Sequence, residues 1–177
     1  ARLEGLGSRT LVQAMRWGDW EVIEGAFFDC WDTGRHVVTP FAIPEDWTRF
    51  RSGDWGSAKP FSFGWWGIVP DLFKAPDGAR LPRGCLVRYR EWYGMQPGKP
   101  DTGLKLHAEK VGERLWELER DDPKLSYGVL DPNAFSEDGG PSIAERITNG
   151  SGKKIYFRKA DNARVPGKGA MGGWDQM

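Results

Sequence analysis

From Trp47 onward the apolar residues repeat as three β-type runs with no helix between them, and then as helix, strand, helix, strand. The three runs are "RFRSGD", "PFSFGWWGIV" and "CLVRYREWY". The second and third are joined by "DLFKAPDGARLPRG", where Pro76, Gly78, Pro82 and Gly84 mark bends. "LKLHAEKVGERLWELER" then sets Leu104, Ala108, Val111, Leu115 and Leu118 along one helical face, and Asp122-Pro123 ends it. "LSYGVLDP" is a short apolar strand ending in Asp131. "PSIAERITNG" reads as a helix with Pro141 near its first turn and Gly150 beyond its end, and "KKIYFRKADN" as a fifth strand. Three strands joined by hairpins, followed by α–β–α–β, predict an α/β fold: a mixed five-stranded sheet flanked by helices.

Ahead of this, "SRTLVQAMRW" has helical spacing with Ser8 or Thr10 as cap, and "GDW" closes it. Residues 21–47 read as an irregular strap with short β pieces such as "HVVTPFAI", broken by Pro40 and Pro44. A length of 177 residues fits one domain plus a short extension, and ten Trp, nine Phe and four Tyr supply its core. The 25 basic and 25 acidic side chains cancel, which neither demands nor excludes a nucleic-acid partner. Cys30 and Cys85 stand far apart without metal spacing, which fits a reducing compartment better than a disulfide framework. No apolar run reaches membrane-spanning length and no signal-peptide pattern opens the chain, so a soluble intracellular protein is expected. The closing "GAMGGWDQM" reads like the first turn of something that continues.

Two strands share one feature: apolar residues run up to an aspartate and the chain then turns. These are Asp54 after "FRSG" and Asp131 after "YGVL". If the first and fourth strands are adjacent and parallel, both carboxylates emerge at one edge of the sheet, where ligand sites of open α/β sheets lie. Like charges held close repel unless a cation sits between them. Hard oxygen donors there favour Mg²⁺ or Mn²⁺, and two such ions about 4 Å apart fit an in-line attack on a phosphodiester. The plainer alternative is that each is a strand-end turn residue or helix cap, as "DPN" suggests for Asp131. Glu91 stands in a β segment, where it pairs with Arg88 or Arg90 or joins the acids, and Asp161 ends the fifth strand at what would be the same edge.

Basic residues gather near the end of the chain: Lys153, Lys154, Arg158, Lys159, Arg164 and Lys168. Together with Arg88 and Arg90 they would line a surface that tracks phosphates, or simply form a solvated face. "NGSGKK" lacks the spacer and the Ser/Thr of a phosphate loop and is no nucleotide motif. His36 and His107 have no partner at metal-ligand spacing and read as structural, with His107 in a helix and His36 before a β piece.

The run "GDWEVIEGAFFDCWDTGRHVVTPFAIPEDWTRFRSGDWGSAKPFSFGWW", continued by "REWYG", "LDPNAF…PSIAERI" and "ADNARVPGKGAMGGW", resembles the nuclease domain of the large terminase subunits of tailed bacteriophages. The resemblance implies a ribonuclease-H-like fold and a two-metal endonuclease, using Mg²⁺ or Mn²⁺, that cuts concatemeric double-stranded DNA during packaging in the cytoplasm of a bacterial host. It matches Asp54 to the first-strand aspartate, Asp131 to the acid ending the fourth strand, and Glu91 to a recurrent third-strand glutamate. It also implies an ATPase domain in the same polypeptide, and portal and small-subunit partners. Residues 1–46 would be a strap from that ATPase domain, and residues 47–177 the nuclease domain, short of a final catalytic acid on a C-terminal helix. Two rivals stay open: a non-catalytic DNA-binding or docking module using Trp17, Trp20, Phe27, Phe28 and Trp31, and another nuclease of the same fold, of resolvase or transposase type.

Overall fold

The computed structural model describes residues 31–137 and 139–161. The expected helix at 8–17, Cys30, Arg164, Lys168 and most of the aromatic strap lie outside the described residues. The described chain forms two compact units. One comprises residues 31–39 and 75–79; the other comprises 40–74 and 80–161.

In the smaller unit, Asp32 caps a single helical turn, α1 (Thr33–His36), by accepting from the Arg35 amide. His36 therefore ends a helical turn and precedes no strand. No part of "HVVTPFAI" is extended in a ladder. Asp77 binds two backbone amides, Thr39 at 2.7 Å and Ala79 at 2.9 Å, and these donors hold its carboxyl below the usual range.

The larger unit is built on β1 (Thr48–Asp54), β2 (Ser62–Ile68), a small hairpin of β3 (Phe73–Lys74) and β4 (Arg80–Leu81), and β5 (Leu86–Tyr93). Then come α2 (Ala108–Glu119), β6 (Tyr127–Leu130), α3 (Ile143–Gly150) and β7 (Arg158–Lys159). The main sheet runs β5-β2-β1-β6-β7. β1 pairs antiparallel with β2, and β2 with β5; β1 pairs parallel with β6, and β6 with β7. This is the ribonuclease-H-like order: three antiparallel strands, then two parallel strands reached through helices.

The pleat sorts the side chains. Phe63, Trp65 and Leu130 face α2 and α3, where Val111, Leu115, Ile147 and Ile155 close the core. Burying each such side chain contributes about 1.5–3 kcal/mol. The two helices touch backbone to backbone: a Cβ on Gly112 would lie 2.0 Å from the Ile147 carbonyl oxygen, and one on Gly150 2.0 Å from that of Glu109. On the opposite face Trp66, Phe50 and Tyr127 stack in a row, with centroids 6.3 and 5.1 Å apart, and the Arg158 guanidinium caps Tyr127 at 4.0 Å.

Three sequence expectations need correction. The long helix begins at Ala108, not Leu104, because the Leu104 amide bonds the Gly94 carbonyl at 2.9 Å and Met95 bridges Gly103. Leu104 and Leu106 pack on the core from the irregular segment ahead of the helix, and His107 is the helix cap residue, without a side-chain cap bond. The fifth strand shrinks to two residues: Ser151 Oγ takes the Lys154 and Ile155 amides at 3.1 and 2.9 Å, curling a segment expected to extend. Gly150, expected beyond the end of α3, is its last residue, and Ser151 follows as the C-cap; at the other end Pro141 precedes the cap Ser142, which closes a capping box with Glu145. Among the described residues no helix is long and apolar enough to cross a membrane.

Candidate active site

β1 and β6 run parallel with Gly53 opposite Leu130, and each chain delivers an aspartate one residue later. Asp54 is the last residue of β1, and Asp131 follows Leu130. The Asp131 amide donates to the Gly53 carbonyl at 3.3 Å, so the ladder continues to the residue before Asp54. Neighbouring strands lie about 4.8 Å apart, and both acids therefore leave the same rim from adjacent positions. The adjacency expected of the first and fourth strands is observed.

Local sequence makes the rim. Asp131 caps the 3-10 helix Pro132–Phe135: its Oδ1 accepts from the Asn133 amide at 2.8 Å, and Pro132 sits at the first helical position, where a missing N–H costs nothing. The cap uses one oxygen and leaves Oδ2 without a hydrogen bond among the described residues. The Asp54 side chain is exposed and makes neither hydrogen bond nor ion pair among the described residues. Two like charges thus share a rim with no positive side chain paired to either among the described residues, and hard oxygen donors of this kind suit Mg²⁺ or Mn²⁺.

The loop leaving Asp54 is pinned. The Gly103 amide binds the Ala58 carbonyl at 2.8 Å, and the Gly94 amide binds that of Phe61 at 2.8 Å. A Cβ on Gly103 would lie 2.2 Å from the Ser57 carbonyl oxygen. As sequence, "GKPDTG" marks only a break; its glycine spacing was the available signal of a close backbone approach.

Glu91 shares the face of Asp54. It pairs in register with Gly64, and Gly64 with Ser52, two residues short of the row Asp54–Ser62–Tyr93. Strand spacing and rise put it roughly 12 Å from Asp54, Cα to Cα, and its carboxylate binds Arg88 at 2.9 Å. Asp161 leaves the sheet at the rim of Asp54 and Asp131, since the Ala160 amide binds the Leu130 carbonyl at 2.9 Å. No three His, Cys, Asp or Glu side chains close into a metal cage among the described residues.

The basic residues separate. Arg88 and Arg158 lie on the Asp54 face, and Lys159 reaches over the Phe135 ring at 5.7 Å beside the rim. Arg90 is on the helix face, bound to both oxygens of Asp122 and to the Leu118 carbonyl. The Asp122 carboxylate raises its pKa above the usual range, and these bonds hold it behind the sheet, away from the rim face. Lys153 and Lys154 precede β7 and sit at the opposite end of the sheet from Asp131.

No family model matches the chain, and no curated protein does. Among solved structures it is similar to the large terminase of a thermophilic bacteriophage, with 23% identity and a TM-score of 0.48 over 77% of this chain. Phage large terminases are among its structural neighbours. The P22 large terminase nuclease domain is another, at 13% identity and a TM-score of 0.39 over 72% of this chain and 52% of that one. A Ciona intestinalis endonuclease V in complex with DNA matches at 10% identity and a TM-score of 0.30, over 71% of this chain and 52% of that one. The chain spans 28% of the length of the thermophilic phage's large terminase. The ribonuclease-H-like assignment stands on strand order and pairing alone.

Proposed function

We propose that this chain carries the nuclease domain of a phage large terminase, a Mg²⁺- or Mn²⁺-dependent endonuclease that cuts concatemeric double-stranded DNA during packaging. The observation that carries the reading is the placement of Asp54 and Asp131 one residue beyond the paired Gly53 and Leu130, on neighbouring parallel strands. The sequence motifs that bracket both aspartates support it. Residues 47–177 are read as the nuclease domain and residues 1–46 as a strap toward an ATPase domain of the same polypeptide. Portal and small terminase subunit are the partners this reading implies, in the cytoplasm of a bacterial host.

Asp54 and the free Oδ2 of Asp131 would hold the metal, with Asp161 at the same rim as a further donor; Glu91 is held back by Arg88. When bound, a divalent ion activates water and stabilises the departing oxygen of a phosphodiester. The chain's own contribution is orientation. The capped 3-10 helix fixes Asp131 and the pinned 55–61 loop fixes the exit of Asp54. Lys159 offers positive charge beside the rim, and Arg158 lies on the Asp54 face with its guanidinium over Tyr127, so the two suit phosphate contacts that do not read sequence.

The test is Asp54→Asn and Asp131→Asn, assayed by nicking of plasmid DNA with Mn²⁺. Cleavage disappears in both, while stability stays within about 0.5–1 kcal/mol of the parent because both sites lie at the sheet rim. Full activity in either variant refutes the assignment. DNA binding that persists in a chain with no metal-dependent cleavage favours the non-catalytic module.

A further inference from the structure

A cleft of about 440 Å³ opens at the other end of the sheet, where β6 begins and α2 ends. From Tyr127 to Leu130 the strand rises about 10 Å, so the cleft is separate from the rim that carries Asp131. Its volume falls within the range of small-molecule sites.

Its lining is chemically sorted. Arg51 contributes from β1 with only 3% of its side chain exposed: Nη1 pairs with Glu119, Nη2 donates to the Tyr156 carbonyl at 3.0 Å, and the buried Nε has no partner among the described residues. The acids of the cleft are committed, Glu119 to Arg51 and the Trp65 indole, and Asp122 to Arg90. Lys124 and Lys154 also line it, and neither is in an ion pair among the described residues, so the cleft carries uncompensated positive charge. Three aromatic side chains stand in the same lining: Tyr127, already stacked between Phe50 and Arg158, and Trp116 and Tyr156, which are 37% and 60% exposed. An exposed ring costs solvation and offers a π-face; an unpaired ammonium offers a phosphate its counter-charge. A ligand that uses both is a flat ring carrying a phosphate.

We infer that this cleft binds a nucleotide unit, its base on Trp116 or Tyr156 and its phosphate on Lys124 and Lys154. The chemistry is shared by a free nucleotide and by one residue of an unpaired nucleic-acid strand, and the experiment separates these sources. The inference does not depend on the nuclease reading.

The probe is a fluorescein-labelled single-stranded hexadeoxynucleotide, followed by anisotropy with the 177-residue chain in metal-free, low-salt buffer. Adenosine 5′-monophosphate and inorganic phosphate serve as competitors. The Lys124→Ala/Lys154→Ala double variant and Trp116→Ala each weaken binding by about tenfold or more, whereas Lys74→Ala, in the β3–β4 hairpin and outside the cleft lining, leaves it unchanged. Tyr156→Ala gives a second aromatic test at a more exposed position, should Trp116→Ala fail to fold. Monophosphate that displaces the probe as effectively as unlabelled hexamer identifies a free-nucleotide site; hexamer that competes at least tenfold better identifies a strand site. Undiminished affinity in the lysine and aromatic variants, inorganic phosphate competing as well as the nucleotide, or no saturable binding of either ligand overturns the proposal.

Discussion

Gly53 lies directly over the Phe63 ring: a Cβ at this glycine would come within 2.5 Å of the ring and 2.9 Å of a Leu130 methyl. The residue before Asp54 is thus small because the core beneath it is full. Gly53→Ala forces the ring or the end of β1 to move, at a cost of about 1–3 kcal/mol. Thermal unfolding reads the cost, and under the proposed function plasmid nicking reads the displaced Asp54; a variant with parental melting temperature would mean the ring moves aside freely.

Glu109 on α2 and Arg146 on α3 clasp the two helices through a two-bond pair at 2.8 and 3.0 Å. Hydrogen bonding to Arg146 holds the Glu109 carboxyl below its ordinary value near 4.5. The folded pKa is depressed, so the pair stabilises the fold above the unfolded value and is lost as pH falls through the folded one. The pair is partly exposed, and its worth is about 0.2–1 kcal/mol. In Glu109→Gln the stability difference from the parent is present at pH 7 and lost at an acidic pH low enough to protonate the folded Glu109 carboxyl. Urea unfolding at both pH values measures it; a difference that grows on acidification contradicts the assignment.

Burial pushes the Cys85 thiol above its ordinary value near 9.0. Less thiolate is then present at neutral pH, and the thiolate is the reactive form. In a Cys30→Ser background, a disulfide reagent at pH 7.5 modifies native Cys85 several-fold more slowly than the unfolded chain. Equal rates would place the sulfur in open solvent.

The order of the strands was legible because hairpin and crossover connections restrict how five strands can pair, and the apolar runs carried that order. The two rim aspartates were legible for the same reason: each ends an apolar run. What the sequence concealed was tertiary satisfaction of backbone groups. Leu104 sits at helical spacing from Ala108 and Leu115, yet its amide is taken by Gly94. Tyr156 looks like strand, yet its carbonyl is taken by Arg51. Arg90 and Arg88 stand two residues apart and would share a face in a regular strand, but a β-bulge where they pair with Trp65 and Trp66 sends one to Asp122 behind the sheet and the other to Glu91 in front. A single chain of letters displays spacing and not which distant group will claim a donor.

Arg51 and Glu119 are the sharpest example, a charged pair inside the helix face with side chains 3% and 9% exposed. Glu119 also accepts from the Trp65 indole at 2.7 Å, so one carboxylate serves two buried donors. Glu119→Gln keeps an oxygen for Trp65 but leaves Arg51 charged and unpaired, which costs about 3–5 kcal/mol. Adding Arg51→Met removes the stranded charge, and the double variant recovers much of that loss because a buried ion pair replaced by apolar volume is often neutral. Urea midpoints at constant m-value compare the three chains. If the double variant is less stable than Glu119→Gln alone, the guanidinium is held by its Tyr156 and Phe157 contacts and not by the carboxylate.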